Sequence, residues 1–465
     1  MPTYTPPIWS FPMPVTASRF QPIAPKWKPW NIQTDPARLG TWALQKYKSP
    51  TVAWVDMQTQ LETNAPGRLG SGRAAAYRGY HVKGLGRTLA AANWNNQDDY
   101  GHNTGHLPPT CAFREYAITQ VLRQRGLGAL IAGCDAILLS PLTTEEARHL
   151  AAARKKEGKS IAPADATMMA LSLKPAGFAR HSNFVWSLCH FQNSTAWVGQ
   201  LLQDLERLLA PPVPEPVIQG SPEALAAALD DAFERSFDYA LQFVAHGLFW
   251  MYLQNNSSLD GRWLDLETPL FTGQPMVGRI MMNTDDGAIP QMAGFECYDA
   301  AASWRGFIRI LDERLAFLAR PGLLDHPAGT AFLRALRDAI RARFSRQSIL
   351  MRDRELQNRA LAFLSAKLGI EGRADRRRLE ILSRYCFRVA IHGANEEPPE
   401  LGWVPFRERP VPPSPSNARL EAAPFCQATL TPDASQLSNL LTTLDHTESP
   451  AEAFTALRRN GFVNP

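Results

Sequence analysis

Arg68-Leu69-Gly70-Ser71-Gly72-Arg73-Ala74-Ala75-Ala76-Tyr77-Arg78-Gly79-Tyr80-His81-Val82-Lys83 is the stretch on which the reading of the fold turns. Its second half reads as two strands meeting at a glycine, with Lys83 closing an otherwise apolar strand. Its first half holds Gly70-Ser71-Gly72, a turn whose backbone amides can approach a phosphate closely. A lysine at the end of such a strand has the charge to meet that phosphate. Taken singly, the glycines are also what a plain hairpin turn needs, and the lysine also suits a strand end that snorkels to water.

The surrounding sequence gives the pair a context. Thr51–Val55 is strand-like on one side. On the other, Cys111–Arg125 has helical spacing, with Phe113, Tyr116, Ala117, Val121 and Leu122 on one stripe and Glu115 in its first turns. Residues 129–131, 136–139 and 168–174 are further strand candidates. From about residue 184 the pattern turns helical, over 184–209, 222–253, 300–319, 328–345, 352–367 and 374–390. One exception interrupts it. Ser257-Ser258-Leu259-Asp260-Gly261-Arg262-Trp263-Leu264-Asp265-Leu266 carries an Asp-Gly pair between short apolar runs, a hairpin signal. Asn255 and Asn256 precede it, and Asn256 and Asp265 are nine residues apart. Two oxygen ligands at that spacing can share one Mg²⁺, which takes few protein oxygens and keeps phosphates and waters.

A β-rich lobe with one helix, then a helical lobe with an embedded metal-binding hairpin, is an α+β, protein-kinase-like, two-lobed order. Proline marks its borders. Residues 1–50 hold ten prolines and read as an extended arm. A second cluster at 396–416 reads as a linker before a C-terminal tail. The expected organisation is therefore an arm over 1–50, a nucleotide-binding lobe over 51–183, a helical lobe over 184–395, and a linker and tail over 396–465.

Composition narrows the class. The 465 residues are 45% hydrophobic and 20% charged, which excludes a wholly disordered chain. Forty-nine basic residues against 44 acidic ones give a net charge of +5, mild enough to welcome a phosphate but not to argue for nucleic acid. No apolar run reaches the length of a membrane span, and no secretory signal is visible. Six scattered cysteines without a CxxC suit a reducing, cytoplasmic setting. Residues Trp94–Pro108 are rich in Asn, Asp, Gly and His. Gly101, Asn103, Thr104 and Gly105 argue against a helix there, so His102 and His106 read as part of a loop over a nucleotide, not a zinc site.

These motifs resemble those of the selenoprotein O (YdiU-type) pseudokinases. Leu69-Gly70-Ser71-Gly72-Arg73-Ala74 is similar to that family's LGDGRA, and Lys83-Gly84-Leu85-Gly86-Arg87-Thr88 to its KGAGRTP. Arg114-Glu115-Tyr116 stands where the family has IREFL. Residues 168–174 resemble its strand ending in LRLAPSHVR, and Asn256 and Asp265 fall at its metal-ligand spacing. The resemblance implies a kinase-like fold that binds ATP and Mg²⁺ and transfers AMP to protein hydroxyls. It implies that Arg73, Lys83 and Arg180 hold phosphates, that Gly70, Gly72 and Gly105 lie along the nucleotide, that Glu115 partners Lys83, and that Asn256 and Asp265 bind Mg²⁺.

Departures set alternatives beside this. The family's catalytic aspartate is replaced by Asn255, which cannot take up a proton as a carboxylate does. Ser172 stands in place of a phosphate-binding arginine, with Lys174 as a substitute. Met282-Asn283-Thr284-Asp285-Asp286 offers a rival motif with Asp285 as base, although Phe295 then falls where the metal ligand belongs. The expected function is an ATP- and Mg²⁺-dependent nucleotidyl- or phosphotransferase acting on a protein, peptide or small-molecule acceptor. The alternative is a catalytically weak nucleotide-binding pseudokinase that serves as a scaffold.

Overall fold

The computed structural model describes residues 6–22, 30–34, 52–58, 69–70, 73–86, 88, 105–156, 163–189, 194–209, 220–245, 248–249, 256–267, 270–271, 295–344, 358, 362, 366, 439–440, 443–444 and 449–461. They fall into two units. The first gathers Met1–Phe191, Trp263–Glu267 and Asn439–Pro465; the second gathers Gln192–Arg262 and Thr268–Ser438.

The first unit is built on an antiparallel sheet of β1 (Ser10–Pro22), β2 (Trp30–Thr34), β3 (Val52–Gln58), β4 (Leu69–Gly70), β5 (Ala74–Tyr77), β6 (Tyr80–Lys83), β7 (Ala136–Pro141) and β8 (Met168–Pro175). Their spatial order is β2-β1-β7-β8-β6-β5-β3-β4, and β1 also pairs with β3. The beginning of β1 meets β3 and its end meets β7, so six strands close into a ring. Met13, Ala53, Val55, Ala75, Tyr77, Val82, Leu138, Met169, Leu171 and Leu173 fill a shared core.

The proline-rich start of the chain was expected to be an arm, yet it supplies two strands. Pro12 and Pro14 are two residues apart, so their missing donors fall on one edge of β1. The ladder to β3 is left to the donors of Phe11 and Met13 between them. Arg78 and Gly79 join β5 to β6 with φ of 50° and 80°. Positive φ at both turn residues matches the right-handed strand twist, and confirms two strands meeting at a glycine. Residues 129–131 were expected to form a strand. Instead Gly128–Leu130 is a single 3₁₀ turn, and Ile131 makes one parallel bridge to Trp263.

Helix α1 (Pro109–Gln124) leaves the sheet after β6 and returns to β7. Proline at its start costs no hydrogen bond, and no residue caps it from its own N-terminus. Asp165 does so from elsewhere, accepting from the Thr110 amide at 2.9 Å and the Thr110 hydroxyl at 2.7 Å. Asp165 lies in α3 (Pro163–Thr167), which follows α2 (Thr144–Lys156). Beyond the expected apolar stripe, Ala112 and Ile118 of α1 are also fully buried. Helix α4 (His181–Cys189) packs on β3.

The second unit contains α5 (Thr195–Leu209), α6 (Pro222–Ala245), α7 (Phe295–Leu318) and α8 (Pro327–Arg343), with a two-stranded sheet of β9 (Leu248–Phe249) and β10 (Leu270–Phe271). Helices α6, α7 and α8 pack on one another through Leu229, Phe237, Trp304, Phe307, Leu333 and Leu336. The expected hairpin at 257–266 is a tight turn without paired strands among the described residues. Ser258 donates its amide to the Arg262 carbonyl at 2.9 Å, and the Asp260 carboxylate binds the Arg262 guanidinium at 2.7 Å. The side chain of Asp260 thus completes the turn that a ladder would otherwise hold. Most of 352–367, and all of 374–390 and 396–416, lie outside the described residues. The expected tail ends in α9 (Pro450–Arg459), which belongs to the first unit. No described helix is long and apolar enough to cross a membrane.

Candidate functional site

The site lies on the outer face of the first unit's sheet. Along β8, Met169, Leu171 and Leu173 point to the core, so Ala170, Ser172 and Lys174 point the other way. The register pairs Lys83 with Ser172 and His81 with Lys174, placing all four on that face. Gly84 sets where Lys83 ends. It has φ of 101°, and a Cβ there would lie 2.3 Å from the Ala170 carbonyl oxygen. Only glycine lets the chain turn this close to β8.

Helix α1 brings Glu115 over this face. Lys174 Nζ lies 2.5 Å from Glu115 Oε1, and the Ser172 hydroxyl donates to Oε2 at 2.9 Å. The segment after Trp263 brings two more carboxylates. Asp265 Oδ1 accepts from Lys83 and from Lys174, each at 3.1 Å, and Asp265 Oδ2 meets Arg180 at 2.5 Å. Glu267 pairs with Lys83, and lies 3.6 Å from Arg73. The backbone carbonyl of Glu267 accepts from Arg114 Nε at 2.8 Å, tying this segment to α1.

Asp265 has φ of 52°, left-handed for a residue with a side chain. Such a conformation costs roughly 1–2 kcal/mol and persists where the surroundings hold it. Three cations do so here. Burial alone would raise its pKa, but Lys174, Lys83 and Arg180 hold it well below the carboxylate range. Glu267 is lowered as well: burial opposes ionisation, and Lys83 overcomes it. Lys174 is raised above an ordinary lysine, because Asp265, Glu115 and Glu267 outweigh its burial. His81 is pushed down to about 3 by burial and then by Lys174, and is neutral at physiological pH.

The expected Glu115–Lys83 pair is not what forms. Lys174 reaches Glu115 from the neighbouring strand, and Lys83 turns to Asp265 and Glu267 instead. Lys83, Glu115, Arg73, Lys174, Arg180 and Asp265 do share one network. Gly70 lies in β4 opposite Met57, and Gly105 accepts from the Gly86 amide at 3.1 Å. His106, expected in the loop, pairs with Glu146 at 3.5 Å. Asn256 belongs to the second unit. Gly72, His102, Asn255 and Asp285 lie outside the described residues.

Sequence reasoning did not single out Glu267 and read Ser172 only as a lost arginine. The alternation of Ser172 and Lys174 in an apolar strand marked a polar face, and Glu267 stands two residues beyond Asp265. Glu115, Asp265 and Glu267 place carboxylate oxygens within 4.8 Å of one another, a set that could hold a metal ion. Neither known family models nor curated proteins match the chain.

Proposed function

We propose that this protein is an ATP- and Mg²⁺-dependent transferase of kinase-like fold, resembling selenoprotein O, that moves AMP or a phosphoryl group to a hydroxyl acceptor on a protein, peptide or small molecule. The contact between Lys83 and Asp265 carries the reading. Strands β3, β5, β6, β8 and β7 are neighbours in that order, with α1 between β6 and β7. The lysine therefore ends the third strand of a meander. A helix with a buried carboxylate follows, and an aspartate from far along the chain meets the lysine. A kinase-like nucleotide site requires those parts.

The residues fit the groups this implies. Arg73, Lys83, Lys174 and Arg180 carry four positive charges against three carboxylates, and the surplus suits a polyphosphate. Asp265 and Glu267 offer the hard oxygens that Mg²⁺ prefers, and Glu267 Oε2 is buried without a hydrogen-bond partner among the described residues. When bound, Mg²⁺ neutralises phosphate charge. In nucleotidyl transfer the acceptor oxygen attacks the α-phosphorus and pyrophosphate leaves; Arg73, Lys83 and Arg180 offset its charge. The acceptor proton passes to a base, for which Asn255 and Asp285 are the alternatives from sequence.

Incubation of the full chain with Mg²⁺ and ATP labelled at the α- or the γ-phosphorus tests the reading. Acceptor label from the α position alone signifies AMP transfer, and from the γ position alone phosphoryl transfer. Thermal stabilisation by ATP without transfer assigns the scaffold role. Absence of both overturns the proposal.

A further inference from the structure

Two lysines approach Asp265, and their surroundings differ. The Lys174 side chain is 0% exposed, and so is Glu115, its partner. Lys83 is 7% exposed, Arg73 15% and Arg180 17%. A phosphate arriving from solvent meets the last three first. Lys174 lies behind them, with Nζ shared between Glu115 Oε1 and Asp265 Oδ1. Glu115 meets Lys174 through Oε1 and Ser172 through Oε2, and among the described residues no ion pair joins it to Lys83. Moving this buried ammonium away would take from Glu115 the cation that balances its charge, whereas Asp265 would keep Lys83 and Arg180.

We propose that Lys174 is a positioning residue, which locks the helix carboxylate Glu115 to Asp265 and holds Asp265 in its left-handed conformation, while Lys83 is left to the nucleotide phosphates. Resting on the nucleotide-site reading, this moves Lys174 from the phosphate contacts to the frame behind them. It also divides between two lysines what a single strand lysine does in a kinase-like site: pairing with the helix glutamate and contacting phosphate.

Two measurements on the full chain separate the roles. The first needs no ligand. Double-mutant cycles in chemical denaturation use Lys174→Met, Lys83→Met, Glu115→Gln and Asp265→Asn, with the paired variants removing both charges so that none is left buried alone. Lys174 is expected to couple to Glu115 and to Asp265 by at least about fivefold in the folding constant, and Lys83 to Glu115 by less than about twofold. Equal or stronger coupling of Lys83 to Glu115 overturns the assignment.

The second is calorimetry with ATP, in EDTA and with Mg²⁺. Lys83→Met is expected to weaken metal-free ATP binding about tenfold or more. Lys174→Met should leave it within about twofold and remove the gain given by Mg²⁺, with Lys174→Arg restoring part of that gain. Equal loss of metal-free binding in the Lys83 and Lys174 variants makes Lys174 a phosphate contact and overturns the proposal. If the parent chain binds no ATP, the nucleotide reading fails, and the denaturation cycles still decide which lysine frames Asp265.

Discussion

At the scale of single residues, Asp265 shows how one carboxylate can be both a stabilising and a functional group. Its position invites the view that it is dispensable for folding, since it follows a turn and has φ of 52°. The network argues otherwise. Removing it takes one shared carboxylate partner from Lys83, Lys174 and Arg180 at once. Breaking a buried pair from one side typically costs about 3–5 kcal/mol, and alanine keeps the Cβ that strains the left-handed backbone, so nothing offsets this. Asp265→Ala should therefore lower the denaturation midpoint as well as abolish Mg²⁺-dependent ATP binding; an unchanged midpoint means the three cations find other partners. His81 gives a pH dependence whose sign can be worked out. Its folded pKa of about 3 lies below the unfolded value of about 6.5. It is neutral when folded, so its contribution is complete above pH 6.5 and falls as pH drops toward 3, by up to about 1.4 kcal/mol per pH unit. Asp56, raised to about 6 by burial, acts oppositely between about pH 6 and 4, because its folded form takes up a proton first. His81→Phe should therefore make the decline in stability below pH 6.5 shallower, as read from denaturation midpoints between pH 7 and 4; a slope equal to the parent's places the proton uptake on another group.

At the scale of elements, the sequence was most readable where local chemistry alone decides. Arg78-Gly79 demands a turn with positive φ, and β5 and β6 form around it. The α1 pattern and the apolar runs of β7 and β8 stand for the same reason. The proline-rich β1 was not readable, because its tolerance of Pro12 and Pro14 depends on which edge meets β3, a fact about tertiary pairing. The network showed the same division. Lys83, Glu115 and Asp265 could be named from residue type and order, but which lysine meets Glu115 follows from the register of β6 against β8. The cap of α1 is likewise non-local. Asp165→Ala removes the acceptor for both Thr110 donors, and should cost about 1–2 kcal/mol in unfolding free energy. Asp165→Asn should recover part of it, since an amide oxygen can accept one of the two bonds. Equal stability of parent and alanine variant would remove the cap from the account of how Glu115 is held.

At the scale of the whole molecule, the chain does not deal out its units in order. The first unit is interrupted after Phe191, reclaims Trp263–Glu267, and is completed only by Asn439–Pro465. Two consequences follow for its core. The segment carrying Asp265 and Glu267 must be threaded into it from the middle of the second unit's sequence, so contacts of long sequence separation hold the site together and their loop-closure entropy is met late. The C-terminal residues are also structural for a sheet that begins at residue 10. Leu440, Leu444, Ala453 and Leu457 are all buried, and α9 packs on α1, the helix that carries Glu115. Replacing one such leucine by alanine typically costs about 2–5 kcal/mol, a large part of a domain's stability of roughly 5–15 kcal/mol. Leu457→Ala should lower the first unit's unfolding midpoint by a corresponding amount and speed hydrogen exchange at the amides of α1, although residue 457 is more than 300 positions from that helix in sequence. Exchange at α6 and α8, in the second unit, should be unchanged in the folded state. Faster exchange confined to α9 itself, with α1 as protected as before, would show that the C-terminal segment docks without supporting the helix that carries Glu115.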